Sequence, residues 1–196
     1  MRAPRRDDLQ HPPGRVVRTI ARPSSSASGE PGPDRLGRRR VAELGLCALR
    51  GGRQLARAGK YDEAEDALRR SHTIIETAFG KRHAQTAKAI SNLALVRYLR
   101  GDAAAAATMF RDALAIEEET LGGDHTSVAS TLVNLGAVET ALGETDHAEA
   151  TLRRALAIRE QHLPPGDSRI FEVTVPLGTL LVETNRFADA RPLLLL

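Results

Sequence analysis

The chain has 196 residues, 41% apolar and 27% charged, which allows one ordinary domain or a short repeat array and excludes a wholly disordered polypeptide. No apolar run approaches the roughly 20 residues needed to cross a bilayer, and the single cysteine, Cys47, excludes an internal disulfide and any zinc site built on cysteine pairs. The net charge of +3 is uneven: residues 1–40 carry ten arginines against four acidic residues, whereas residues 41–196 hold 18 basic and 21 acidic residues.

Residues 1–40 hold six of the ten prolines, the stretch Ser24-Ser25-Ser26-Ala27-Ser28 and no aromatic residue. Such a segment cannot bury enough apolar area to offset its ordering entropy, so a disordered basic tail is expected there. It has no apolar leader core, and Asp7, Asp8 and the prolines count against a mitochondrial transit peptide. A cytoplasmic protein is the expectation. The tail's arginines raise nucleic-acid contact as a minor alternative, which the acidic body does not support.

From Val41 to Leu163 there is no proline, and Ala, Leu, Arg and Glu dominate. Apolar residues three and four apart predict amphipathic helices, and period-two alternation is missing. A shift of 42 residues aligns the chain with itself. Gly59, Gly101, Gly143 and Asn185 fall in one column, and Ala64, Ala106, Ala148 and Ala190 in another. Gly52, Ala94, Gly136 and Gly178 form a small column; Leu68, Phe110, Leu152 and Leu194 form a large one. Residues 84–125 and 126–167 share 13 identities in 42 columns without a gap. Each unit reads as two helices, for example 84–99 and 103–119, with the glycine column ending the first in a left-handed conformation. The units span about 41–83, 84–125, 126–167 and, incomplete, 168–196. One hairpin cannot bury its apolar face alone, so the units stack into an all-α solenoid.

These columns, with Leu121-Gly122-Gly123-Asp124-His125 and Leu132-Val133-Asn134-Leu135, resemble the kinesin-light-chain type of tetratricopeptide repeat. The resemblance implies a right-handed α-solenoid of about four helix-turn-helix repeats, whose first helices (A) line a concave groove and whose second helices (B) cover the outside. It also implies that Asn92 and Asn134 contact the backbone of a bound peptide. An asparagine amide donates and accepts at once, which suits a peptide bond. Arg50, Lys88, Ser91, Leu95, Arg97, Tyr98 and Ser130 are expected around them, with Val133 and Ala137. The plain alternative is that the two asparagines bridge neighbouring helices. Two departures stand out. Pro176 occupies the asparagine column of unit four and is expected to bend its helix. The run Leu193–Leu196 is expected to leave apolar surface at an uncapped end, open to self-association.

No catalytic, cofactor or metal residues are expected. His83 and His125 read as loop histidines one unit apart, too far to share a metal, and His147 and His162 as solvated. His72 reads as partly buried. The acidic runs Glu65-Asp66 and Glu117-Glu118-Glu119 read as a solvated outer face paired with arginines. Cys47 reads as a small packing residue. The expected function is therefore a non-catalytic scaffold holding a peptide or partner protein in the groove. The alternative is a C-terminal fragment or regulatory module of a larger kinase-linked or nucleotide-binding regulator.

Overall fold

The computed structural model describes residues 33–194, and the described chain forms eight α-helices. They are α1 (Pro33–Arg57), α2 (Tyr61–Phe79), α3 (Ala84–Leu99), α4 (Ala103–Leu121), α5 (Thr126–Ala141), α6 (Thr145–His162), α7 (Ser168–Glu183) and α8 (Phe187–Leu194). Odd-numbered helices are the A helices and even-numbered ones the B helices. The expected disordered tail lies outside the described residues up to residue 32. Its last eight residues are a correction: α1 already begins at Pro33. Proline is tolerated in a first helical turn, where its missing N–H has no partner to lose.

The turns follow the repeat. Gly59, Gly101, Gly143 and Asn185 all have positive φ, between 61° and 93°, and each reverses the chain between the two helices of its unit. Gly or Asn is needed there because other side chains clash in that conformation. The small and large columns face each other across every hairpin. A Cβ added to Gly136 would lie 2.7 Å from Leu152 Cγ, and one on Gly52 would lie 2.6 Å from Leu68 Cγ. The helix backbones are therefore closer than an added methyl group permits at those two hairpins. In unit two Ala94 and Phe110 occupy the same two columns within one core cluster. Leu68, Phe110 and Leu152 are completely buried, each contributing ~1.5–3 kcal/mol of transfer free energy.

Packing is nearest-neighbour. Each B helix contacts its own A helix, and α2, α4 and α6 also contact the A helix of the next unit. The A helices also approach one another closely in succession (α1 with α3, α3 with α5, α5 with α7), whereas the B helices stand further apart and α4 and α6 meet only through long side chains, as in the Arg154–Glu118 pair. Helices that converge on one side and diverge on the other make a right-handed solenoid with A helices on the concave face. The fourth unit departs. α7 runs through Pro176 without ending, and Leu194, equivalent to the buried Leu68, is 46% exposed. Leu195 and Leu196 lie outside the described residues. Cys47 corrects another expectation: it is exposed on α1 rather than packed.

Candidate peptide-binding groove

The inter-unit loops fix the start of each A helix. His83 Nδ1 accepts from the Gln85 N–H at 3.1 Å, and His125 Nδ1 accepts from the Ser127 N–H at 3.0 Å. Asp167 holds the same position before α7, accepting from the Arg169 N–H at 2.9 Å. The histidines are thus N-caps, satisfying a backbone donor that the first helical turn leaves unpaired. Arg169 also pairs with the Asp167 carboxylate, and these hydrogen bonds hold that carboxyl down at about 2.

A cavity of about 530 Å³ opens between the A helices of units two and three. Six of the eleven expected residues line it: Lys88, Ser91, Asn92 and Leu95 from α3, and Ser130 and Asn134 from α5. Lys88, Ser91, Asn92 and Leu95 lie three and four apart, so they share one face of α3. Asn92 Nδ2 donates to the Lys88 carbonyl at 2.6 Å, which pins its amide to its own helix. That bond serves neither of the expected roles, peptide contact or helix bridging.

Five expected residues do not line the cavity, Val133 and Ala137 of α5 among them. Arg97 projects from the opposite face of α3 into an ion cluster, 3.1 Å from Glu65 and 3.4 Å from Asp102. Its five-residue offset from Asn92 turns it about 140° away. Tyr98 packs half-buried against the core cluster of Ala94 and Phe110. Arg50 stays exposed on α1, and Arg53, one turn further on, reaches the cavity instead.

The acidic runs need the larger correction. Glu118 and Glu119 do pair on the outer face, with Arg154 and Arg82. Glu65 and Glu117, however, are each only 4% exposed. Glu65 lies between Arg69, Arg97 and Arg100, and its contact with Arg100 is very short. Burial pushes its carboxyl up, but the hydrogen bonds of Arg69 and Arg100 and the charge of Arg97 outweigh that and leave it lowered. Glu117 instead lines the groove cavity. Its Oε2 accepts from Thr131 Oγ1 at 2.7 Å, and Thr131 Oγ1 lies 3.5 Å from Ser91 Oγ. Burial pushes the Glu117 carboxyl up, and the Thr131 bond with the charges of His125 and Lys88 only partly offsets it.

Outside the cavity, Arg69, Arg111, Arg153 and Arg154 on B helices, Arg82 between units, Arg169 on α7 and Arg186 in the turn before α8 have acidic partners, whereas Arg70 and Arg191 on B helices have no ion pair among the described residues. The cavity's Arg53 and Lys88 have no ion pair among the described residues. Two unpaired cations, two amides and several hydroxyls converging on one concave site suit a polar, extended, anionic ligand.

The Tetratricopeptide repeat model matches the chain twice, over residues 46–119 and 87–161, together more than half of it. The chain belongs to the tetratricopeptide repeat family. Among solved structures this tetratricopeptide repeat protein is similar to BtubC (BKLC) from P. vanneervenii, with 22% identity and a TM-score of 0.69, covering 76% of this chain and 60% of that one. It thus spans three-fifths of BtubC. A putative kinesin light chain of Podosopora anserina with nearly identical TPR-like repeats matches at 19% identity and a TM-score of 0.71, covering 79% of this chain and 72% of that one. The first TPR of Spaghetti (RPAP3), solved bound to the HSP90 peptide SRMEEVD, matches at 19% identity and a TM-score of 0.54, covering 74% and 95%. No curated protein matches. These similarities establish the fold as a kinesin-light-chain-like repeat solenoid. No helix among the described residues is long and apolar enough to cross a membrane.

Proposed function

We propose that this tetratricopeptide repeat protein is a non-catalytic cytoplasmic scaffold that binds an extended, acidic peptide segment of a partner protein along its A helices. The observation that carries this reading is the cavity between α3 and α5. It combines the repeated Asn92 and Asn134 with Lys88 and Arg53, cations that have no ion pair among the described residues. A rigid groove presents these groups at little ordering cost, because stacking of the repeats has already fixed the helices. The peptide seen on the Spaghetti repeat is also acidic, which supports the same ligand class.

The test begins by capturing partners with the full chain and mapping the bound segment as synthetic peptides. Affinity for such a peptide is then measured before and after the double substitution Asn92→Ala and Asn134→Ala. A loss of about tenfold or more, on the scale of two lost hydrogen bonds, is expected. Unchanged affinity in a double variant with wild-type circular dichroism and melting would overturn the assignment.

A further inference from the structure

One repeat position projects from each B helix into the junction with the next A helix. Ile75, Glu117 and Arg159 occupy it in successive units, 42 residues apart, and all three are buried. The three junctions are resolved differently. Ile75 is apolar and joins a hydrophobic cluster. Arg159 lies 3.3 Å from Glu172 and donates to the Arg169 carbonyl and to Ser130 Oγ, each at 3.2 Å. Among the described residues Glu117 has no cation within ion-pair distance and accepts one hydrogen bond, from Thr131. Its carboxyl is the one acid in the wall of the groove cavity among the described residues.

The charged and titratable groups around it come from the two helices packed on α4 and from α1 across the cavity. Lys88 faces it from α3, His125 from the cap of α5, and Arg53 stands across the cavity on α1. Arg159 lies one step further, behind Ser130. The wall therefore carries two fixed positive charges and one buried acid. A cationic ligand would have to pass Lys88 and Arg53. An anionic ligand neutralises both, but it meets Glu117 at the floor. Two carboxylates in one buried site repel each other, and the conflict disappears if one of them takes a proton. A neutral acid can then donate a strong hydrogen bond to its charged neighbour.

On the peptide-groove reading above, we infer that Glu117 is a specificity-determining residue that binds its ligand as a neutral acid: a peptide carboxylate sits against Lys88 and Arg53 and accepts a hydrogen bond from the Glu117 carboxyl, so that binding takes up one proton. The proton comes from solvent onto a Glu117 oxygen, and the peptide carboxylate stays ionised. The burial that pushes this carboxyl up in the free protein lowers the cost of that step. Affinity then rises as pH falls toward the free protein's Glu117 value, by up to tenfold per pH unit for one proton, until the ligand carboxylate itself protonates near pH 4.

The experiment measures fluorescence anisotropy of labelled ten-residue peptides alternating glycine with glutamate, glutamine or lysine, between pH 5.5 and 8. The glutamate peptide is used with a free and an amidated C-terminus, which separates side-chain from terminal carboxylate. The full-length wild type should bind the glutamate peptide more tightly as pH falls. Glu117→Gln, which keeps the acceptor for Thr131 and is always a neutral donor, should bind it at pH 8 several-fold more tightly than wild type, with a flat pH profile. His125→Asn removes the nearby imidazole but keeps a capping side chain, and it should retain the wild-type slope. A wild-type slope in Glu117→Gln, or its loss in His125→Asn, overturns the proton assignment and leaves the groove reading standing. Preference for the lysine peptide that disappears in Glu117→Gln overturns it in favour of a cationic ligand. Binding of none of the peptides overturns the inference and counts against the acidic-peptide reading as well.

Discussion

Glu65 and Glu117 are two glutamates of B helices, exposed to solvent to the same small extent, that the structure treats in opposite ways. Glu65, at the junction of units one and two, is surrounded by Arg69, Arg97 and Arg100 and is held ionised. Glu117, one unit on, faces the groove with a threonine for a partner, and its proton is held more tightly than in an open chain. Their solvent exposure is alike, but Glu117 sits deeper and lacks a cation within ion-pair distance among the described residues, whereas Glu65 is covered by its arginines, and both differences set the sign. Glu65 comes with its cations, whereas in the groove the acid and the cations form no ion pair among the described residues, which is what the proposed ligand site would use.

The largest effect should come from breaking the matched site. Glu65→Ala leaves three arginines around an empty acceptor. Breaking a buried pair costs ~3–5 kcal/mol, and the partial exposure of Arg69 and Arg100 brings this toward ~2–3 kcal/mol. Urea denaturation at pH 7 measures it. Glu117→Ala should cost clearly less, since it strands one hydroxyl and no cation. Equal costs would erase the contrast.

A smaller effect is expected at the cap beside the groove. His125→Ala removes the acceptor for the Ser127 N–H and should cost about 1 kcal/mol. His125→Asn should recover most of it, because the short polar side chain of Asp167 already fills the equivalent position. A thermal melt of the three proteins decides the point. If the asparagine variant is no better than the alanine one, the histidine has a role besides capping.

The smallest effect is the pH dependence of stability. Glu117 has a folded value raised above its ordinary 4.5, so its contribution is fully present below 4.5 and is lost as pH rises through the folded value. Glu65 has a lowered folded value, so its contribution is present above 4.5 and is lost as pH falls through the folded value. Glu117→Gln should therefore gain melting temperature relative to wild type on going from pH 5 to pH 8. Parallel melting curves for the two proteins would show that Glu117 stays ionised throughout.

Much of the solenoid was legible in the sequence, because its rules are local and repeat. A glycine column implied four reversals, and Gly59, Gly101, Gly143 and Asn185 all reverse the chain with positive φ. The facing of small and large columns was also readable, as Gly136 against Leu152 shows. The groove was legible in part. Lys88, Ser91, Asn92 and Leu95 share a cavity because a helical face is set by spacing alone. Arg97 failed the same test: five residues from Asn92, it lies on the other face and serves the ion cluster.

Glu117 was misread for a different reason. Glu117, Glu118 and Glu119 are identical in type and adjacent, yet one floors the groove and two face solvent-side arginines. The repeat position gave a hint, since Ile75 is apolar in that column, but Arg159 in the next unit obscured it. Capping by His83 and His125 was also missed, although their place just before each A helix was a usable signal.

The sequence by itself determined the period, the hairpins, the turn conformations and the family, because these depend on residues close in the chain and repeated every 42 positions. Only the tertiary structure decided which acids are matched by cations. Glu65 meets Arg97 and Arg100 more than 30 residues away, whereas Glu117 meets Thr131 and an open cavity. The charge state of a buried acid depends on what the next unit places around it, and that is a property of the stacked helices rather than of any one repeat.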